Sequence, residues 1–185
     1  MARVPVAAAA WPILAACLLS ACGPLVRPSY NRDAGCYVMP SSSLTPTAIA
    51  PSLPDMGRDA GRLRKVAESW LGVPYDFGGQ SRSGIDCSGF VRQIFSEAFG
   101  IRLPHNSSAI HSLGKPVDRD ALKPGDIVFF KNFGFIDHSG IYMGKGYFIH
   151  SASSVGVAYS TLDAPYFREH YAGARRMPGI TPASD

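Results

Sequence analysis

The chain has 185 residues, of which 46% are hydrophobic and 17% are charged, and its formal net charge is +4. This length fits one domain with appendages, and the hydrophobic content is enough for a packed core, which excludes a wholly disordered chain. The basic residues form no long runs interleaved with aromatic residues. The mild positive charge therefore suits contact with an anionic polymer or a membrane surface and excludes a nucleic-acid-binding footprint.

The first 21 residues have the pattern of an export signal. Arg3 precedes an almost continuous apolar run from Val6 to Leu19, and small residues then lead to Cys22. The run is too short to favour the alternative, a permanent N-terminal membrane helix. Leu-Ser-Ala-Cys (19–22) resembles the lipobox of bacterial lipoproteins. That resemblance implies cleavage before Cys22, a lipid anchor such as palmitate on its residue and, because Gly23 follows, retention at the outer membrane facing the periplasm.

Residues 22–56 are rich in proline, serine and threonine and poor in large apolar side chains. Such a composition buries too little surface to offset the entropy lost on ordering, so we expect a flexible tether. The alternative is an ordered arm that docks on the domain through residues 37–39. Cys36 is expected to be unpaired or linked between molecules, because a bridge to Cys87 would remove the candidate nucleophile described below. Residues 179–185 are expected to form a short tail.

A single domain is predicted over residues 57–178, with helices first and strands second. Apolar residues at helical spacing predict helices over 58–71, 86–99 and 106–113. Alternating apolar residues between glycine-containing turns predict strands over 126–130, 138–143, 147–151, 155–160 and 171–177. This order predicts an α+β domain in which N-terminal helices pack on an antiparallel sheet of about five strands.

Cys87 is the first candidate for chemistry. It follows Asp86, a good N-cap, and so lies at the first turn of the second predicted helix. The unpaired N–H groups of a helix start favour a thiolate, and Gly89 is expected to leave the backbone near the sulfur uncrowded. The sequence therefore predicts a nucleophile for an amide carbonyl, if a base lies within reach. The alternative is a small buried hydrophobic residue.

His138 and His150 are the candidate bases. The Gly-Lys-Gly turn at 144–146 suggests that Met143 lies opposite Tyr147, which places His150 opposite residue 140. The two imidazoles then share one sheet face as diagonal neighbours, so that one can act on sulfur while the other orients it.

Other interpretations of the histidines stay open. A one-residue shift in strand pairing would put His138 and His150 on opposite faces, and either could be an ordinary surface residue. Zinc ligation by the cysteine and the two histidines lacks an obvious fourth ligand, with only Asp86, Asp126 and Asp137 available, so no metal or other cofactor is expected. The remaining three histidines (His105, His111 and His170) are expected to be surface residues without partners.

Four motifs together resemble one family. They are Gly-Val-Pro-Tyr-Asp-Phe-Gly-Gly (72–79), Gly-Ile-Asp-Cys-Ser-Gly-Phe-Val (84–91), Lys-Pro-Gly-Asp-Ile-Val-Phe-Phe (123–130), and His-Ser-Gly-Ile-Tyr-Met-Gly (138–144) with Phe-Ile-His-Ser (148–151). In this order and spacing they resemble the NlpC/P60 family of cell-wall peptidases, and within it the outer-membrane lipoproteins. The resemblance implies a papain-like core in which a helix presents cysteine against a sheet that presents histidine.

The resemblance also implies roles for individual residues. Cys87 would attack the carbonyl, His138 would transfer the proton and His150 would orient His138. The hydroxyl of Tyr75 would help to stabilise the oxyanion together with N–H groups at the helix start. Asp86 and Ser88, which flank the nucleophile, would touch the substrate peptide.

The expected function is hydrolysis of peptide bonds in the stem or cross-link peptides of peptidoglycan, through a thioester, during cell-wall remodelling. The family includes cleavage at γ-D-glutamyl–diaminopimelate and D-alanyl–diaminopimelate bonds, and the likeness to lipoproteins favours the second. The alternatives are a non-catalytic wall-binding scaffold and a papain-like amidase or acyltransferase. Residues 103–106 and Ser139 depart from the family pattern, which bears on substrate preference. The apolar loop at 133–137 is expected either to line the groove, to dock a partner or simply to pack.

Overall fold

The computed structural model describes residues 51, 53 and 57–178, together with the backbone of two short strands nearer the N-terminus. These strands, β1 (Ser29–Asn31) and β2 (Cys36–Val38), pair antiparallel. They lie within the segment predicted to be a tether, so this part of it is extended and paired. The predicted export signal, Cys22 and the tail at 179–185 lie outside the described residues.

Four helices and a short 3-10 turn (Arg119–Ala121) lie within residues 57–178. The helices are α1 (Gly57–Glu68), α2 (Cys87–Phe99), α3 (Ser107–His111) and α4 (Pro165–His170). Helix α2 begins after the N-cap Asp86 and ends at Gly100, whose left-handed backbone (φ 70°) lets its N–H bond to carbonyls of the last turn. In the described part of the chain, no helix has both the length and the hydrophobicity needed to cross a membrane.

The strands of the domain form a main antiparallel sheet and a small hairpin. The hairpin strands are β3 (Gln80–Ser81) and β4 (Gly84–Ile85); the sheet strands are β5 (Lys115–Val117), β6 (Ile127–Asn132), β7 (Phe135–Gly144), β8 (Tyr147–Ala152), β9 (Gly156–Thr161) and β10 (Tyr171–Arg176). The main sheet has the order β5-β10-β6-β7-β8-β9. The predicted α+β class is confirmed, with six strands in the sheet where about five were expected. The additional strand, β5, is a three-residue edge strand that contains Pro116, a residue that sheets tolerate at their edges.

The pairing of β7 with β8 confirms the predicted register over its central part. Ile141 lies opposite Ile149 and Tyr142 opposite Phe148. The register shifts next to the turn, where Gly144 rather than Met143 pairs with Tyr147. Because the shift is confined to the turn, it does not move the strand residues that carry the histidines to the other face.

The sheet is covered on both faces. On one face, α1 and α2 bury the main core, which includes Leu63, Phe90 and Ile94 from the helices and Ile141 and Ile149 from the sheet. On the other face, α4 contributes Phe167 to a second cluster, whose other buried members are Val128, Phe130, Phe148, Leu162 and Ala174. We call this second cluster the aromatic cluster, because three of its buried members are phenylalanines. It surrounds the two candidate histidines.

Candidate active site

The side chain of Asp86 holds the start of α2 in place. Its Oδ1 accepts a hydrogen bond from the Gly89 N–H at 2.6 Å and another from the Ser88 hydroxyl at 3.0 Å. Its Oδ2 accepts from the Gly78 N–H at 3.0 Å, which ties the preceding loop to the helix. Asp86 and Ser88 are 7% and 6% exposed. Their polar groups are thus engaged inside the protein, which favours a role in positioning Cys87; direct contact with substrate stays a prediction.

His105 also binds Asp86, and the expectation that it is an unpartnered surface residue is wrong. Its Nε2 lies 2.9 Å from each carboxylate oxygen, and the side chain is partly buried. Two further expectations fail in the same way, because the ring of His111 packs edge-on against Phe129 and Nδ1 of His170 binds the Tyr166 carbonyl. The sequence could not reveal the contact of His105, since no local pattern links residue 105 to residue 86.

Gly89 is required for a reason opposite to the one expected. A Cβ at this position would lie 2.6 Å from the Gly79 carbonyl oxygen and 3.0 Å from Nε2 of His105. The backbone near the sulfur is therefore crowded, and glycine lets the 78–79 loop and His105 approach the helix start.

Cys87 lies in a polar setting between α2, α3 and β7. Its Sγ is 3.7 Å from the Ser107 hydroxyl and 3.7 Å from the carbonyl oxygen of Asp137. The Ser107 hydroxyl in turn lies 3.0 Å from that of Ser139, which is fully buried. The sulfur thus lies against the residues on either side of His138. Two serines line its surroundings: Ser107, which the sequence did not single out, and Ser139, which departs from the family pattern.

The expectation that Cys87 has a lowered pKa is wrong, although the backbone N–H of Ser88 at the helix start does act in the expected direction. Burial raises the pKa of the Cys87 thiol to about 11, and the negative charge of Asp86 raises it further. Hydrogen bonds from Ser107 and from the backbone of Ser139 and Ser88 act in the opposite direction but do not outweigh burial. The thiol is therefore uncharged at neutral pH.

His138 and His150 meet as the register predicted. Nε2 of His138 lies 2.7 Å from Nδ1 of His150, with the ring planes almost perpendicular at 87°. His150 is 1% exposed, and its Nε2 lies 2.9 Å from the hydroxyl of Ser160 on β9. The chain of contacts therefore runs from His138 through His150 to Ser160, a residue that the sequence did not single out.

The aromatic cluster keeps both imidazoles uncharged. The ring of His150 lies 4.8 Å from that of Phe148 and 5.3 Å from that of Phe167, measured between centroids, and Phe130 lies 5.9 Å from His138. Burial lowers the pKa of His138 to about 4, although the charge of Asp86 opposes the shift. Burial, followed by the neighbouring His138, lowers the pKa of His150 well below its ordinary value.

Tyr75 lies just before the small hairpin. It forms an isolated parallel bridge with Ile85, two residues before Cys87, and its side chain is half-buried. This places Tyr75 beside the strand that leads into the helix start, while its part in an oxyanion site stays a prediction. In the loop before His138, Phe133 and Phe135 are each 76% exposed, whereas Ile136 packs against the main core.

The aspartates considered as metal ligands have other partners. Asp126 binds Arg176 at 2.7 Å, Asp137 accepts from Asn132 at 2.7 Å, and Asp86 is engaged as described above. Within the described residues, no three histidine, cysteine or acidic side chains are grouped so that they could hold a metal ion. Cys87 lies beside the part of β7 that carries His138, and His138 is bonded to His150. The roles of the three residues as nucleophile, base and orienting group stay a prediction.

Comparison with known proteins identifies the family. Residues 72–176 match the NlpC/P60 family. The murein DD-endopeptidase/murein LD-carboxypeptidase MepS of Escherichia coli (strain K12) is 40% identical over 116 residues, which cover 63% of this chain and 62% of that protein. The gamma-DL-glutamyl hydrolase of Bacillus subtilis (strain 168) is 42% identical over 118 residues, which cover 62% of this chain and 29% of that protein.

A solved structure agrees with this match. The NlpC/p60 domain of the peptidoglycan hydrolase SagA has a TM-score of 0.58 and 26% identity, and the alignment covers 64% of this chain and 98% of that domain. The family match extends over more than half of the chain and includes the helix start at Cys87 and the strands that carry both histidines. This protein belongs to the NlpC/P60 family, with its papain-like α+β fold.

Proposed function

We propose that this protein is a cysteine-type peptidoglycan endopeptidase that hydrolyses stem or cross-link peptides through a thioester intermediate. The observation that carries the proposal is the placement of the Cys87 sulfur against residues 137 and 139, with His138 between them bonded to His150. The similarity to MepS and to the SagA domain supports peptidoglycan as the substrate, because those proteins are named as acting on it.

The first chemical step begins from an uncharged pair. Because the pKa of Cys87 is raised and that of His138 is lowered, thiol and imidazole are the resting forms at neutral pH. Nε2 of His138 is occupied by His150, so Nδ1 is the nitrogen available to take the thiol proton. Sulfur attacks the carbonyl carbon as the proton moves to Nδ1, which gives a tetrahedral intermediate and an imidazolium.

The intermediate then collapses to products. The imidazolium of His138 returns its proton to the departing amine nitrogen as the C–N bond breaks, which leaves the acyl group on Cys87 as a thioester. Water, deprotonated by the same imidazole, then attacks the thioester and releases the free acid and the thiol. N–H groups at the start of α2 and the hydroxyl of Tyr75 are the donors proposed for the oxyanion.

The cellular setting is also a proposal. Residues 1–21 are taken as the export signal and residues 22–56 as the tether. A lipid on Cys22 would hold the domain (57–178) at the outer membrane, facing the periplasm. D-alanyl–diaminopimelate cross-links are the proposed bond, in line with the name of MepS, and cleavage beside γ-glutamyl groups is the competing choice, since a relative with that name is about equally similar.

The decisive experiment is mass spectrometry of muropeptides after purified peptidoglycan is incubated with the full chain. We expect new uncross-linked peptides, whose masses identify the bond, and no products from the Cys87→Ala variant. The Gly61→Ala variant serves as the control that should retain activity, because the added Cβ on α1 has no atom within 4 Å apart from the adjacent backbone of its own helix. Retained turnover in Cys87→Ala would refute the assignment. Binding of peptidoglycan without any cleavage by the wild type would indicate a scaffold instead.

A further inference from the structure

Three polar side chains form a diagonal row across β7, β8 and β9. On β9, Ala158 lies opposite His150, and Ser160 follows it by two residues. On β7, the register places residue 140 opposite His150, and His138 precedes it by two residues. The two contacts in the row measure 2.7 Å (His138 Nε2 to His150 Nδ1) and 2.9 Å (His150 Nε2 to Ser160 Oγ). Ser160 is 8% exposed, so its hydroxyl meets His150 with little competition from water.

The positions of the protons in this row decide whether His138 can act as a base. Because burial lowers the pKa of both imidazoles, each ring carries one proton at neutral pH. The contact between the two rings needs one donor and one acceptor. If His138 donates from Nε2, its Nδ1 is bare and can accept the thiol proton. If His150 donates from Nδ1 instead, His138 is protonated on Nδ1 and cannot act.

We propose that Ser160 is a positioning residue that selects the competent proton arrangement by accepting a hydrogen bond from Nε2–H of His150. This inference rests on the proposed function of His138 as the base. A proton held on Nε2 of His150 leaves its Nδ1 as an acceptor, and that acceptor in turn holds the His138 proton on Nε2. Ser160 thus acts on the reaction through two rings and touches neither substrate nor sulfur.

The direction of these hydrogen bonds is forced once the thiol proton has moved. An imidazolium at His138 carries N–H on both nitrogens, so its Nε2–H must donate to Nδ1 of His150. His150 must then carry its proton on Nε2, and Ser160 Oγ is the group placed to accept a hydrogen bond from this N–H. Without that oxygen, the buried Nε2–H of His150 would lose its partner both in the charged state and in the resting tautomer that leads to it, so loss of the hydroxyl favours the other resting tautomer, in which His138 cannot act.

The test compares two substitutions of nearly equal shape in the full chain. Ser160→Thr retains the hydroxyl, whereas Ser160→Val replaces it with a methyl group, and both residues suit a strand. We expect Ser160→Val to lower kcat/KM about 10- to 100-fold relative to Ser160→Thr, mainly through kcat, while KM stays similar. Equal thermal unfolding of the two variants would show that packing does not cause the difference.

A second readout follows the protons directly and does not depend on turnover. Nitrogen-15 NMR of the histidine rings distinguishes a protonated nitrogen from a bare one. In the wild type and Ser160→Thr we expect Nε2 to be protonated on both rings. In Ser160→Val we expect a second population in which Nδ1 of both rings is protonated. The proposal is overturned if His138 carries its proton on Nδ1 in the wild type, or if the Thr and Val variants share one proton arrangement and one kcat. Turnover by Cys87→Ala would instead refute the proposed function, and the NMR result on Ser160 would still stand by itself.

Discussion

Gly140 and His150 come close together across β7 and β8. A Cβ on residue 140 would lie 3.0 Å from Cβ of His150 and 2.7 Å from Cδ2 of the buried Phe148 ring. The absence of a side chain at residue 140 therefore makes room for the diagonal approach of His138 to His150 at 2.7 Å. Glycine is needed here for close packing, not for an unusual backbone angle.

The Gly140→Ala variant should lose both activity and stability. The added methyl group must displace the Phe148 ring or the Cβ of His150, and overpacking of this kind costs roughly 1–3 kcal/mol of unfolding free energy. Displacement of His150 also disturbs the orientation of His138, so kcat/KM should fall about tenfold or more. Urea unfolding and peptidoglycan turnover measure the two effects.

The matched control for that variant is Gly61→Ala. Gly61 lies in α1, and a Cβ there meets no atom within 4 Å apart from the adjacent backbone of its own helix. Replacing glycine by alanine inside a helix should stabilise the protein by about 0.5–1 kcal/mol and leave turnover unchanged. Equal behaviour of the two alanine variants would contradict the role assigned to the space at Gly140.

The local features of the site could be predicted from the sequence, and its long-range surroundings could not. The Asp86–Cys87 pair marks the helix start by capping chemistry, and the turn at 144–146 fixes the register that brings His138 to His150. Both signals depend on neighbours in the chain. The short edge strand β5, by contrast, could not be predicted, because its three residues are too few to show an alternating pattern and one of them is proline. It forms by pairing with β10.

The error about the acidity of Cys87 has the same origin. The thiol is buried by α3 and β7, which supply Ser107 and Asp137 from 20 and 50 residues away. The favourable helix start can be recognised in the local sequence, whereas the desolvation of the thiol is produced by distant elements. Ser160 was missed for a similar reason, because its contact with His150 depends on the register between β8 and β9.

Alkylation of Cys87 by iodoacetamide should be slow at neutral pH and should accelerate steadily in alkali. The reactive species is the thiolate, and burial raises the pKa of Cys87 to about 11. Below that pKa the thiolate fraction grows roughly tenfold for each pH unit, so the rate should rise without a plateau between about pH 6 and pH 9. The rate is measured on the Cys87 peptide by mass spectrometry, because the chain has four cysteines. A plateau near neutral pH would indicate a thiolate–imidazolium pair and contradict the uncharged resting state.

The Asp86→Asn variant should make Cys87 more reactive while weakening the fold. The charge of Asp86 raises the pKa of Cys87, so its removal should lower that pKa and speed alkylation at a fixed pH. The amide has only one acceptor oxygen in place of two, and Gly78, Gly89, Ser88 and His105 all approach this side chain. At least one buried donor then loses its partner, which should cost about 1–3 kcal/mol of unfolding free energy.

The control for the charge effect is Asp163→Asn. It removes the same charge from a side chain that is 79% exposed and paired with Arg119. The alkylation rate of Cys87 should not change in this variant. If Asp86→Asn also leaves the rate unchanged, the acidity of Cys87 is set by burial alone.

The buried ion pair between Asp126 and Arg176 should be the more costly of two ion pairs to break. Arg176 meets both carboxylate oxygens at 2.7 Å, and Asp126, which is 1% exposed, also accepts from the Lys123 N–H. Arg176→Ala leaves the buried carboxylate without its cation, so we expect a loss of about 3 kcal/mol in unfolding free energy. Asp163→Ala, which breaks the exposed pair with Arg119, should cost less than about 1 kcal/mol. The Asp126→Ala/Arg176→Ala double variant should lose less unfolding free energy than the sum of the losses in its single variants, because neither charge is then left unpaired. Urea unfolding measures these losses. Additive losses would show that the two side chains act independently.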